Sequence, residues 1–285
     1  MSRRVVFVAT LLAVLACDDQ EPAWRLDRPR VLGAVVSSAA DPSRSSFASG
    51  EAVSVELVTA SAQKARGAFD GFAFTACATD DNVSLARCVG PRIAMVEGKD
   101  AADPVFTFTA PAGAQGPLLV FAMVCQGGAA HLRTGELRGD CEGSVGQELA
   151  VRLDVAGPPN KNPALPFDAV SFDDVPLAGD RGCESPSPFR IPADEREHTL
   201  TVAGQNVGAE PGDTLLLSHV ATHGKLARLY STVEGPESAP RFRVKWTAPA
   251  SLSLARETAR VHFVLRDGRG GTAFGYRTVC IEKGN

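Results

Sequence analysis

Aromatic side chains are scarce: the 285 residues hold two tryptophans, two tyrosines and an aromatic fraction of 6%. A protein that recognises its ligand by stacking rings would carry more, since Trp and Tyr dominate binding hot spots. No cysteine pair has the CxxC spacing of a zinc knuckle or a redox site, and HExxH, GxSxG, EF-hand and RTX patterns are all missing. Basic clusters with interleaved aromatics are also absent. With a formal charge of −4, the chain is a poor match for nucleic acid or an anionic lipid surface as main partner. Nor is any apolar run long enough for a membrane span, which needs about 20 residues; the longest, "VVFVATLLAVLA", ends at Asp18 and Asp19.

That run is the length of a signal-peptide core, and it follows Arg3 and Arg4. A buried helix would show polar residues on a second face, and this segment has none. The residues Val14-Leu15-Ala16-Cys17 resemble the lipobox of bacterial lipoproteins. The resemblance implies that residues 1–16 are removed and that Cys17 is acylated, anchoring the chain without spanning the bilayer. An ordinary secretory signal is the rival reading, and both export the chain. Processing at Cys17 would leave 269 residues (285 − 17 + 1) and take the formal charge from −4 to −6 by loss of two arginines. Asp18 follows the lipidated position, as in the inner-membrane retention signal of enteric bacteria; which membrane holds the chain stays open.

With Cys17 assigned to lipid, six cysteines remain: Cys77, Cys88, Cys125, Cys141, Cys183 and Cys280. An even set in an exported chain reads as disulfides. Six cysteines permit 15 connectivities, among which sequence neighbourhood favours Cys77–Cys88, Cys125–Cys141 and Cys183–Cys280.

From Arg30 the chain reads as strands. "EAVSVELV", "GFAFTAC", "PVFTFTAP" and "ELAVRLDV" alternate apolar and polar residues with period two, the mark of half-buried strands. "PLLVFAMVC" is continuously apolar, as in a strand buried on both faces or near a sheet centre. Short strands separated by Gly, Pro, Asp and Ser indicate a β-sandwich. Three prolines and two asparagines in 157–165 mark a boundary, after which "HTLTV", "DTLLLSHV", "ARLYSTV", "RFRVKWTAP", "ARVHFVLRD" and "GYRTVCIE" renew the strand pattern. The expected organisation is a signal peptide at 1–16, a tether at 17–29, sandwiches at 30–156 and 166–285, and a linker at 157–165.

The halves echo each other. "FTFTAPA" at 106–112 matches "VKWTAPA" at 244–250, with Thr109 and Thr247 lying 138 positions apart. "GEAVSVELV" from Gly50 and "GDTLLLSHV" from Gly212 lie 162 apart, which predicts about 24 extra residues in the first half, in a region including Cys77–Cys88. The order of these motifs, ending in "VHFVLRDGRGGTAFGYRTVCI", resembles the C-terminal half of bacterial immunoglobulin-like or PKD-like domains, without the Cys–Trp–Cys spacing of antibody domains. The whole resembles the immunoglobulin-like lipoproteins of Gram-negative cell envelopes. The resemblance implies an all-β chain of two tandem immunoglobulin-like sandwiches after a lipoprotein signal peptide.

Chemistry is harder to find. His219 and His223, four apart in "SHVATHG", would share one face of a strand, but no third ligand stands at a metal-site spacing. Asp173, Asp174, Asp180 and Asp267 offer the oxygen ligands that calcium wants, and read first as solvated loop acids. Asp194 and Glu195 lie in the charged loop "PADEREH". "RGGTAFG" lacks the Lys-Ser/Thr of a phosphate loop. Trp246, Tyr230 and Tyr276 read as core, and Trp24 as packed on the first sandwich or lying at the membrane interface. The expectation is a non-catalytic binding or scaffold protein, with no cofactor or metal, held by lipid at the inner or outer membrane. Its expected partner is an envelope protein or a glycan rather than nucleic acid. Carbohydrate binding, adhesion and a structural place in an envelope complex are the alternatives. The segment from Cys77 to Glu97 is the first candidate for the partner-facing part.

Overall fold

The computed structural model describes residues 22–62, 69–80, 88–101, 104–114, 116–133, 138–166, 169–177, 179–206, 213–234 and 239–284. Val14–Cys17, the segment that resembles a lipobox, lies outside them. The chain is all-β. Its first half forms β1 (Arg30–Ser38), β2 (Ala52–Ala60), β3 (Phe69–Ala78), β4 (Arg92–Ala101), β5 (Val105–Thr109), β6 (Gly116–Cys125), β7 (Ala130–Leu132), β8 (Gly139–Cys141) and β9 (Gly146–Val155). The second half adds β10 (Val170–Phe172), β11 (Val175–Pro176), β12 (Arg190–Ala193), β13 (Glu197–Ala203), β14 (Thr214–Ala221), β15 (Lys225–Leu226), β16 (Tyr230–Glu234), β17 (Arg241–Thr247), β18 (Arg256–Arg266) and β19 (Thr272–Lys283).

The first sandwich sets sheet β1-β2-β5 against sheet β4-β3-β6-β9; the second sets β11-β10-β13-β17-β15 against β12-β19-β18-β14-β16. Both are immunoglobulin-like. Alternation explains their cores. Val53, Val55 and Leu57 of β2 share one cluster with Phe106 and Phe108 of the neighbouring β5 and Phe74 of the opposite sheet, while Leu200, Leu215, Leu217, Phe242 and Phe263 share the other with a fully buried Trp246. The Asp173–Asp174 turn between β10 and β11 has positive φ at both residues, 45° and 65°, as a tight hairpin of matched twist requires.

The Thr-Ala-Pro echo marks equivalent strands. Both β5 and β17 precede it, and Phe108 and Trp246 are both core. The second landmark does not hold. β2 pairs with β5, whereas β14 pairs with β16 and β18 in the opposite sheet; the counterpart of β2 is β13, which pairs with β17. An apolar strand after a Gly turn looks alike in either sheet, so the pattern misaligned them. The main insertion of the first half therefore lies elsewhere. The last β6–β9 pair is Cys125 with Gly146, and the last β18–β19 pair is Arg266 with Thr272. Twenty residues, 126–145, fill the first gap, against five, 267–271, in the second.

That insertion carries β7 and β8, which fold over the outer face of their own sheet. Phe121, Met123 and Cys125 of β6 join Ala73 and Ala130 in a separate small cluster, while Val120, Ala122 and Val124 face the main core. So β6 is buried on both sides, which is why its sequence is continuously apolar. The three disulfides are Cys77–Cys88, Cys125–Cys141 and Cys183–Cys280. The first two lie on this outer face, and the third ties the segment before β12 to β19.

The two sandwiches lie side by side. Arg260 of β18 donates to the carbonyl of Ala62 at 3.2 Å, Arg266 to that of Leu32 at 2.7 Å, and Asp267 accepts from Asn160 at 2.8 Å. These contacts follow β18 from Arg260 to Asp267, just past its end, and meet Ala62 and Leu32 of the first sandwich and Asn160 of the 157–165 segment. The 157–165 segment is braced rather than loose. The Asn162 amide donates to the carbonyl of Val36 and accepts from the backbone of Thr272, and Ala164 and Gln205 exchange backbone hydrogen bonds. The tether is also partly docked: Leu26 donates its backbone N–H to Ala221, and Ala221 donates to Trp24. Leu26 is fully buried, and Trp24 packs on the core of the second sandwich rather than on the first.

Candidate functional site

A cleft of about 550 Å³ opens where the sandwiches meet, lined by Ser45, Phe47, Arg152, Asp154, Asn160 and the Gly268–Gly270 turn. The turn exists because Gly268 and Gly270 adopt φ of 76° and 94°, and Asp267 holds it by accepting from the backbone N–H of Arg269 and of Gly271, both at 2.8 Å. Its other oxygen accepts from Asn160, so this fully buried acid is spent on the junction. The guanidinium groups are likewise engaged, Arg152 with Asp154 at 3.5 Å and Arg269 with Asp213 at 3.3 Å. Among the described residues, Ser45 Oγ and Asn160 Oδ1 are buried without a hydrogen-bond partner. The cleft thus combines charge-balanced walls with a few polar atoms, suited to orienting a polar ligand but holding no nucleophile–base pair.

The histidines part company. His219 is buried on β14, and its Nε2 donates to the carbonyl of Arg228; burial lowers its pKa. His223 lies beyond the end of β14, so the two do not share a strand face. Its Nε2 meets Glu257 Oε2 at 2.9 Å, and its Nδ1 meets Thr222 Oγ1 at 2.9 Å. Burial lowers the His223 pKa against the opposing pull of Glu257. A hydroxyl, an imidazole and a carboxylate in line suggest nucleophilic chemistry. Here the hydroxyl oxygen already accepts from the backbone N–H of Arg260 at 2.9 Å, and Thr222 is buried. The array braces a turn.

The aspartates are not gathered. Asp173 accepts from the Thr199 backbone and pairs with His198, Asp180 is bound to Thr278 and Gly182, and Asp267 lies at the junction. No cluster of metal-ligating side chains forms among the described residues. Asp194 accepts from the backbone N–H of Arg196, and Glu195 occupies the turn at φ 58°. Trp246 is core, as read; Tyr230 is not, being 57% exposed at the edge strand β16. In the Cys77–Glu97 segment, the part from Arg92 onward belongs to the edge strand β4, which exposes Met95 and Val96. Residues 81–87 fall outside the described residues.

Sequence reasoning does not bring together Asn160, Asn162, Arg266 and Asp267, which build the junction: it reads Asp267 only as a calcium candidate or loop acid, the two asparagines only as boundary residues, and gives Arg266 no role. The signal was present in "PPNKNP": two amides in a segment too proline-rich to pair as a strand must direct their hydrogen bonds elsewhere.

No family model matches the chain, and no curated protein matches it in sequence. Among solved structures, Escherichia coli alpha-2-macroglobulin activated by porcine elastase is similar over 93% of this chain and 22% of its own, at 9% identity and TM-score 0.26. Red sea bream transglutaminase is similar over 91% and 32%, at 13% identity and TM-score 0.29. The native conformation of E. coli alpha-2-macroglobulin is similar over 92% and 17%, at 9% identity and TM-score 0.27. The chain spans less than a third of the length of each.

Proposed function

We propose that this chain is a non-catalytic binding or scaffold protein of the cell envelope, exported, acylated at Cys17 and held at a membrane by that lipid. The observation that carries the binding part is the braced junction. Asn160, Asn162, Arg266 and Asp267 fix one sandwich against the other, so surfaces on both are presented in a set relationship. A preorganised surface loses little conformational freedom on binding. Rigid sandwiches with functional loops are commonly used in this way.

An envelope protein is favoured over a glycan as partner. The exposed edge of β4 offers Met95 and Val96, whereas the junction cleft has no exposed ring for a sugar to stack on, its one aromatic, Phe47, being 3% exposed. The test is metabolic labelling with palmitate and membrane fractionation of the full chain beside Cys17→Ser, followed by cross-linking to envelope partners. The expected result is label and membrane association lost in Cys17→Ser, and a cross-linked partner lost when Met95 and Val96 are replaced by Asp. An unlabelled chain in the soluble fraction overturns the anchor. A partner retained by the Asp variant overturns the β4 surface.

A further inference from the structure

We propose that one end of the molecule, the end around the docked segment 22–29, rests on the lipid bilayer. The inference depends on acylation at Cys17, and it adds a fixed orientation to that anchor.

The argument begins with reach. Pro22 is tied in a turn to Arg25, whose backbone N–H donates to the Pro22 carbonyl at 2.8 Å; the chain then pairs with Ala221 through Arg25 and Leu26. Arg30 donates to the carbonyl of Ala23 at 3.0 Å, and the side chains of Gln126 and Gln147 donate to the carbonyl of Pro29 at 3.2 and 2.7 Å. This segment is therefore held by both sandwiches. Cys17 precedes Pro22 by five positions, and a chain extends at most roughly 3.3–3.6 Å per residue, or about 18 Å here. The docked segment bridges Ala221, which pairs with Val261 of β18; the opposite end, where Asn160 meets Asp267, lies six positions beyond Val261, about 20 Å at strand rise. The loops at that end lie further still. A lipid at Cys17 reaches a bilayer beneath the near end and cannot reach one beneath the far end.

The second observation is independent of the tether. Among the described residues, the two most exposed large apolar side chains are Leu254, at 66%, and Val145, at 64%. Both border the docked segment. The carbonyl of Val145 accepts from the backbone of Gln126, whose side chain holds Pro29. The backbone of Leu254 donates to Glu257 at 2.8 Å, and Glu257 lines a cavity with Arg25 and His223. One apolar tip comes from each sandwich. Arg25, Lys225 and Glu195 line the same cavity as Glu257, and Asp27 and Arg28 belong to the docked segment itself. Apolar tips near mixed charge suit shallow contact with lipid headgroups, with the covalent lipid supplying most of the affinity.

The test places a fluorophore on a single introduced cysteine in the acylated, disulfide-bonded protein bound to vesicles carrying a headgroup-linked quencher. Leu254→Cys and Val145→Cys are the near positions. Ala112→Cys is the far one, exposed in the loop between β5 and β6. The ten residues of β6 put it about 30 Å from Val145 at strand rise. Quenching is expected at 145 and 254 and not at 112. A Gly-Ser insertion of about 20 residues after Gln20, with a typical span near 25 Å, is expected to erase the contrast while leaving acylation intact. Acylated protein quenched equally at all three positions, most at 112, or at none overturns the orientation alone. Absence of an acyl group, read by mass spectrometry of the N-terminal peptide, overturns the anchor and the orientation with it.

Discussion

Arg266 reaches out of the second sandwich to donate through Nη2 to the backbone carbonyl of Leu32 in the first, at 2.7 Å, while its Nη1 donates to Ser218 Oγ at 3.0 Å. Burial lowers the pKa of this guanidinium, yet an arginine stays charged at any ordinary pH. Its hydrogen bonds therefore offset a real desolvation cost. Replacing it by methionine keeps much of the volume and leaves the Leu32 carbonyl without this donor. The loss of a buried partner costs about 1–3 kcal/mol. Arg266→Met is expected to lower the midpoint of denaturant unfolding. Gly33→Ala should also destabilise, because its Cβ would stand 2.6 Å from Nη2 and push the side chain aside, and because the Gly33 φ of 159° is one that L residues rarely adopt. Wild-type stability in both variants would show that the junction contributes nothing.

The disulfide Cys183–Cys280 closes a span of 97 positions. In the loop-entropy view, a cross-link of that length destabilises the unfolded chain by about 4–5 kcal/mol. It also links the segment before β12 to β19, beside the parallel β12–β19 pair. The paired change Cys183→Ser with Cys280→Ser is expected to lower Tm more than removal of Cys77–Cys88, which closes only 11 positions. Calorimetry of the two double variants decides the order, and a larger loss from the shorter loop would refute it.

Much of this architecture was legible because burial writes itself into periodicity. The alternation in "EAVSVELV" and "FTFTAP" is the inner face of one sheet, and the unbroken run "PLLVFAMVC" is a strand covered on both sides. The disulfide partners followed from nearness in sequence. What stayed hidden were the relations between strands. A period of two says which side chains share a face and not which sheet a strand joins, so by pattern β14 matches β2, whereas by pairing the match is β13. Tyr230 read as core because strand residues are usually half-buried, and the edge position that exposes it is a property of topology. The junction was hidden for another reason: Asn160 and Asp267 stand 107 positions apart, and nothing in either neighbourhood names the other.

Glu51 gives the clearest pH dependence. Arg44 pairs with it, Ser38 donates to it, and the Ala48 backbone donates at 2.8 Å; together these hold its pKa at about 2, against an ordinary 4.5. A carboxylate with a depressed folded pKa contributes stability that is fully present above the unfolded value and is lost as pH falls through the folded one. The expected loss therefore runs from pH 4.5 down to about 2. Glu51→Gln should flatten the fall of Tm across that window and lower stability at neutral pH. An unchanged acid limb would mean that the Arg44–Glu51 pair carries no net energy.

The hairpin β7–β8 yields the last expectation, because it covers a cluster separate from the main core. Ala73, Phe121 and Met123 are buried there by a 20-residue excursion held by Cys125–Cys141. Removing this disulfide leaves both sandwich cores intact, so its effect should be local. An excursion of that length bears few apolar contacts of its own, and such units open below the global free energy. Cys125→Ala with Cys141→Ala is expected to speed hydrogen exchange in 126–145 and to raise binding of a hydrophobic dye at Phe121 and Met123, with much smaller changes in β2 and β17. The opposite pattern, global loss of protection without a local excess, would place the hairpin inside the main folding unit. The distinction has a functional side. The hairpin begins beside Gln126, which grips Pro29, so a loosened excursion also loosens the chain that leads to Cys17.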